Sequence, residues 1–325
     1  MKKRFFWVVG LTFLFFFMIN IGHSSAEGSI DYKSDYKDYT LGEVEKTLLD
    51  YLHSKGKNYE VGSQEYTDFI FDQYQNDTDK ELASREDYHD AINTYMDEYT
   101  YQYSLMETGK LDEKISDSVS LFGNTKASDS AIQPYFDLGV AKEKTVGKLQ
   151  EEINQEIEKQ EQSAIEFQKL NPIQITAGYS VSSAKAYAES WYNGRNPAFN
   201  SYTNDCTNFV SQILFAGGMK MDGSWYSNYN GTSNSWKLVV DLYNYWSPKK
   251  QTHSSWSKTT IIQQSKAGDV IQFRKTDGTR YSHAMFVYEK SNGTIYLSGH
   301  TNDYLKRNFK NIDATAYEMY RVIKM

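Results

Sequence analysis

The chain has 325 residues, a formal net charge of −7, 39% hydrophobic and 15% aromatic residues, and one cysteine. A lone cysteine excludes an internal disulfide and any thiolate cluster for a metal, and six scattered histidines supply no metal-ligand spacing of their own. The acidic balance argues against nucleic acid as a partner.

In chain order, the first segment reads as an export signal. Met1-Lys2-Lys3-Arg4 precedes an apolar run from Phe5 to Ile21, and Ser24-Ser25-Ala26 supplies the small residues of a cleavage site. Residues 1–26 are therefore a predicted signal peptide cut after Ala26, which makes the mature protein secreted or wall-associated. The competing reading is an uncleaved membrane anchor, because about 17 apolar residues approach a spanning length. No later stretch is apolar enough to span a bilayer.

Residues 27–171 carry 15 Lys+Arg against 32 Asp+Glu, a balance of −17, whereas 172–325 carry 17 against 10, or +7. These opposed charges predict attraction between the halves at low salt. Its purpose stays open between a cover over a groove and a spacer or partner-binding region. The acidic half reads as mainly helical. Leu41, Val44, Leu48 and Leu52 fall on one helical face, as do Tyr88, Ile92, Tyr95, Met96, Tyr99 and Tyr103 in a helix capped by Ser84. The tyrosine stripe reads as half-buried packing. A long solvated helix is predicted over 141–170, with Val146, Leu149, Ile153, Ile157 and Ile165 as its stripe, and Asn171-Pro172 ends it. A linker at 172–178 separates this region from a second domain at 179–325.

The second half opens with a predicted helix over 182–193, capped by Ser182 or Ser183. Asn204 or Asp205 is placed to cap the next helix, which starts at Cys206, buries Phe209, Val210, Ile213 and Leu214, and stops at Gly217-Gly218. Strands are predicted at 269–273, 284–288, 294–298 and 319–323, with Asn292-Gly293 as a two-residue hairpin turn. Helices followed by an antiparallel meander give an α+β class. Gln272 suits alternation on a half-exposed strand. Trp191 is expected in the core, and Trp225, Trp236 and Trp246 in loops lining a groove.

A thiol at a helix start, with Ser282-His283 opening a later strand, is what a cysteine hydrolase needs, since the thiolate is the nucleophile and the helix N-terminus favours it. The runs AYAESWYNGRNPAF, NDCTNFVSQ, AGDVIQF, SHAMFV and SGHTND occur in that order. Together they resemble the amidase domain of secreted Gram-positive proteins, related to the CHAP and NlpC-type hydrolases, over about 180–325. The resemblance implies a papain-like fold with Cys206 as nucleophile and His283 as general base. It also implies a peptide or peptidoglycan-type amide substrate and no cofactor. The Cys206 backbone N–H is the natural oxyanion donor.

If Asn292-Gly293 turns the hairpin, residue 283 lies opposite 302 and 285 opposite 300, so His300 and Asn302 share the His283 face. Either could orient the imidazole, and His300 is the first choice. The rival to hydrolysis is a non-catalytic wall- or peptide-binding module on the same fold, and the same thiol would also support acyl transfer. Oligomeric state is not legible.

Overall fold

A computed structural model describes residues 36–107, 136–170, 178–228, 231–313 and 316–325. The predicted signal peptide and most of the 172–178 linker lie outside these residues. Helices come first and an antiparallel sheet follows.

Helix α1 (Leu41–Ser54) begins in a capping box. Thr40 N–H donates to Glu43 Oε2 at 2.8 Å, and Glu43 N–H returns to Thr40 Oγ1 at 3.2 Å, so two orphan amides are satisfied reciprocally. Its predicted stripe of Leu41, Val44, Leu48 and Leu52 is buried. Helix α2 (Gln64–Asn76) is capped by Ser63 and ends where Asp77 turns left-handed at φ 47°. Ser84 does not cap the tyrosine helix. It closes the short α3 (Lys80–Ala83), and the chain re-enters helix through a π turn at Tyr88–Ile92 that runs into α4 (Asn93–Glu107).

The tyrosine stripe is fully buried instead of half-buried. What allows this is that the hydroxyls find partners: Tyr66 and Tyr95 pair at 2.8 Å, Tyr95 donates to Glu45 at 2.8 Å, and Tyr99 meets Thr67 at 2.9 Å. Helix α5 (Val146–Leu170) buries Val146, Leu149, Ile153 and Ile157, but Ile165 is exposed, so its apolar stripe stops short of the sequence pattern.

In the second half, Ser180 caps α6 (Val181–Trp191), two residues ahead of the predicted start. Then come α7 (Cys206–Ala216), the two-residue strands β1 (Ser227–Asn228) and β2 (Gly231–Thr232), α8 (Asn234–Lys237) and α9 (Val239–Trp246). The rest comprises β3 (Thr252–Ser255), α10 (Lys258–Gln264), β4 (Val270–Arg274), β5 (Tyr281–Ser291), β6 (Thr294–Gly299), β7 (Tyr304–Asn308) and β8 (Met319–Ile323). The sheet order is β3-β8-β4-β5-β6-β7, antiparallel throughout.

One sheet face presents Val270, Ala284 and Phe286 to α7 and its neighbours, and the other presents Ile271, Phe273, Met285, Val287, Tyr320 and Val322 to a second apolar layer. Both faces of β4 are therefore covered, and Gln272 is not half-exposed. It is fully buried, donates to the Val239 carbonyl at 2.8 Å and accepts from Arg321 Nε at 2.6 Å. The tryptophan assignments reverse as well. Trp225 and Trp236 are core residues, with their indole N–H groups bonded to Ser211 and Asn208, Trp246 is buried beside them, and Trp191 is only partly covered.

The hairpin turns at Asn292-Gly293, both at positive φ, with Ser291 opposite Thr294. A bulge between Val287 and Glu289 then shifts the register, placing Phe286 opposite Ser298. One extra residue sends every side chain beyond it to the other face. The expected sharing of one face by His283 and His300 is lost for that reason.

Candidate functional site

Cys206 is the first residue of α7, fully buried, and its Sγ donates to Asn204 Oδ1 at 3.2 Å, with Thr207 Oγ1 at 3.7 Å. The backbone N–H groups of Ala284 and Thr207 also point at the sulfur and favour its thiolate. Burial outweighs them and pushes the thiol up to about 11. The helix-start argument predicts an acidic thiol; with the sulfur fully buried, desolvation wins.

His283 is the residue before the amide that meets the sulfur. It lies on β5 with its ring against Phe273 and nearly parallel to Tyr317, at 5.5 and 6.2 Å between centroids. Tyr317 also lies within electrostatic reach of Cys206. Burial, helped by the charge of Arg307, pushes the imidazole down to about 3. Its Nδ1 is buried and has no hydrogen-bond partner. Thiol and imidazole are thus both neutral near pH 7, and His283 Nδ1 is not bonded to the sulfur.

His300 is engaged elsewhere. Its Nδ1 lies 2.6 Å from Asp205 Oδ2, its Nε2 lies 2.9 Å from the Trp191 carbonyl, and its ring stacks on Phe209 at 3.6 Å. Both nitrogens are spent, and neither reaches His283. Asn302 Nδ2 donates to Asn76 Oδ1 of the helical half. Asp205 occupies the N-cap position of α7, but its carboxylate caps no backbone amide there. Instead Oδ1 accepts from Tyr202 N–H and Asn208 Nδ2, and Oδ2 meets His300 and Arg195. The first-turn amides of α7 are thereby left without that side-chain acceptor, at the positive end of the helix dipole.

Sequence reasoning did not single out Asn204 as a thiol partner, although it stands two residues before the cysteine. Tyr317 and Arg307 carried no local signal, being brought in by β7 and the β7–β8 connection. Among the described residues, no group of three or more His, Cys, Asp or Glu could hold a metal ion. No helix among them is long and apolar enough to cross a membrane.

Residues 178–323 match the family described as "Putative amidase domain". At a coarse level that match points to amide-bond hydrolysis. Two curated relatives, both from Bacillus subtilis (strain 168), align with this chain. "Uncharacterized protein YhbB" is 32% identical over 146 residues, covering 43% of this chain and 47% of the relative. "Uncharacterized protein YjcM" is 29% identical over 147 residues, covering 42% of this chain and 35% of the relative. The chain thus spans less than half the length of either. No solved structure matches it significantly.

Proposed function

We propose that residues 178–325 are a secreted, cysteine-dependent amide hydrolase of papain-like arrangement, acting on peptide amides of the kind found in cell wall. The observation that carries this reading is the placement of Cys206 at the first turn of α7, with the Ala284 N–H directed at its sulfur and His283 next in chain to that amide. A helix N-terminus supplies oriented N–H groups where a tetrahedral oxyanion would form, and strand β5 supplies the imidazole. Secretion rests on the leader read from residues 1–26, and the wall substrate on the family resemblance.

In the proposed reaction His283 takes the thiol proton and the Cys206 thiolate attacks the amide carbonyl. The oxyanion is held by the Cys206 backbone N–H. Collapse breaks the C–N bond, and His283 gives its proton to the departing amine. Water, activated by the same imidazole, then hydrolyses the thioester and restores the thiol. Neither His300 nor Asn302 is bonded to His283, so no orienting residue is assigned. His300 acts on the other side, holding the Asp205 carboxylate and through it the loop that leads into Cys206.

The test is mass spectrometry of purified wall fragments and model peptides after incubation with the protein. New amine and carboxylate ends separated by one water are expected, and Cys206→Ser and His283→Ala should each lower turnover by at least about a thousandfold. Full turnover by Cys206→Ser would overturn the reading. Products carrying an added amine in place of water would mark acyl transfer.

A further inference from the structure

Four consecutive residues at the end of α2 bond to the segments that surround the thiol. The Tyr74 hydroxyl donates to Asp97 at 2.5 Å and accepts from Ser282, next to His283. The Gln75 carbonyl accepts from Tyr317, and its side-chain amide reaches Asn204, the residue that holds Cys206 Sγ. Asn76 accepts from Asn302, and Asp77 binds Lys275 Nζ at 2.6 Å. Each of the four joins a different segment around the cysteine, which is fully buried, while His283 is only 6% exposed.

We propose that the α2 terminal turn, Tyr74–Asp77, is an internal plug that bars substrate from Cys206, so that the chain described is a latent form opened when the turn leaves. The latency rests on the hydrolase reading; the occlusion does not. An amide carbonyl must come within about 3–3.5 Å of the sulfur, and a fully buried thiol offers no such approach.

The seam around the plug is built to separate. It carries several ionic and polar ties: Lys275 pairs with Asp77, Arg280 lies 2.9 Å from both Asp97 and Glu98, and Arg274 bonds Asn154. Buried ion pairs roughly break even with their hydration, so parting them costs far less than opening an apolar core of equal area. Closure also leaves two atoms worse off than in water. Gln75 Oε1 and His283 Nδ1 are both buried without a partner, and opening would rehydrate each of them.

The test uses the full chain and reads alkylation of Cys206 by iodoacetamide, which needs an accessible thiol but no turnover. Wild type should label at least a hundredfold more slowly than a cysteine in an unstructured peptide at the same pH. Asp77→Lys, which sets two ammonium groups against each other, should raise that rate at least tenfold while amide exchange in β4 and β8 stays protected. Lys46→Ala, at an exposed pair within α1, should change nothing. If Asp77→Lys loses sheet protection, Arg280→Gln replaces it, with the same tenfold expectation. Wild-type labelling at the peptide rate overturns the plug. So does a variant whose α2 turn exchanges faster over an intact sheet yet labels no faster. Faster labelling without amide turnover keeps the plug and sinks the hydrolase.

Discussion

The two halves of the molecule fill their interiors by different means. In the layer on one face of the sheet, Ile271, Val287, Leu297 and Val322 pack as aliphatic surfaces with nothing further to satisfy. The helical half is built on Tyr66, Tyr74, Tyr88, Tyr95 and Tyr99, and each hydroxyl must reach an acceptor or another hydroxyl. Such a core carries acidic residues inside it: Glu45 and Asp97 are buried as tyrosine partners. Part of the acidity of 27–171 is thus interior chemistry and not a solvated face. The same carboxylate layer faces outward to Lys275 and Arg280, so one set of groups serves core and seam together.

This contrast can be broken first where one of the largest buried side chains is at stake. Trp236→Ala removes a fully buried indole and its bond to Asn208, and should cost about 3–5 kcal/mol in a urea titration. Next comes the buried imidazole. Its folded pKa is depressed to about 3 from an unfolded value near 6.5, so the unfolded chain binds the extra proton between them. The His283 contribution is therefore complete above about pH 6.5 and is lost as pH falls toward 3. His283→Phe should flatten that limb of the stability–pH curve, and an unchanged slope would contradict the assigned environment.

Smaller effects sharpen the comparison. Tyr95→Phe keeps the ring but strips Glu45 and Tyr66 of a partner, so about 1–3 kcal/mol should be lost in thermal unfolding. An aliphatic core offers no substitution of that kind. Gly293→Ala sits at φ 69°, where a Cβ would meet only the end of the Lys310 side chain at an ordinary 3.9 Å, so backbone strain of about 1 kcal/mol should be what appears.

Features with a local cause could be read from the chain. The capping box at Thr40, the apolar stripe of α1, the Asn292-Gly293 turn, four of the strands and the helix starting at Cys206 each depend on residues within a few positions. What escaped depends on distant partners. The bulge after Val287 has no composition signal, yet it moved His300 to Asp205 and away from His283. Gln272 looked half-exposed because its acceptor and donor, Val239 and Arg321, are remote in sequence. The helix-start rule for the thiol assumes an open site; burial of Cys206 reverses it, and the neighbouring Asn204 is reached by Gln75 of α2, more than a hundred positions earlier.

The strand order has a consequence for synthesis. β8 lies between β3 and β4, so the middle of the sheet is closed by its most C-terminal strand. As the chain leaves the ribosome, β4 emerges almost fifty residues before that partner, at Val270 against Met319. Until β8 arrives, one edge of a mainly apolar strand stands unpaired, open to any other nascent segment of similar pattern. The sheet half should therefore fold post-translationally, after release, while the helical half with its more local contacts can form during elongation. A chain stalled before residue 319 would carry a finished helical half beside an aggregation-prone sheet, and chaperone demand during synthesis should track that interval.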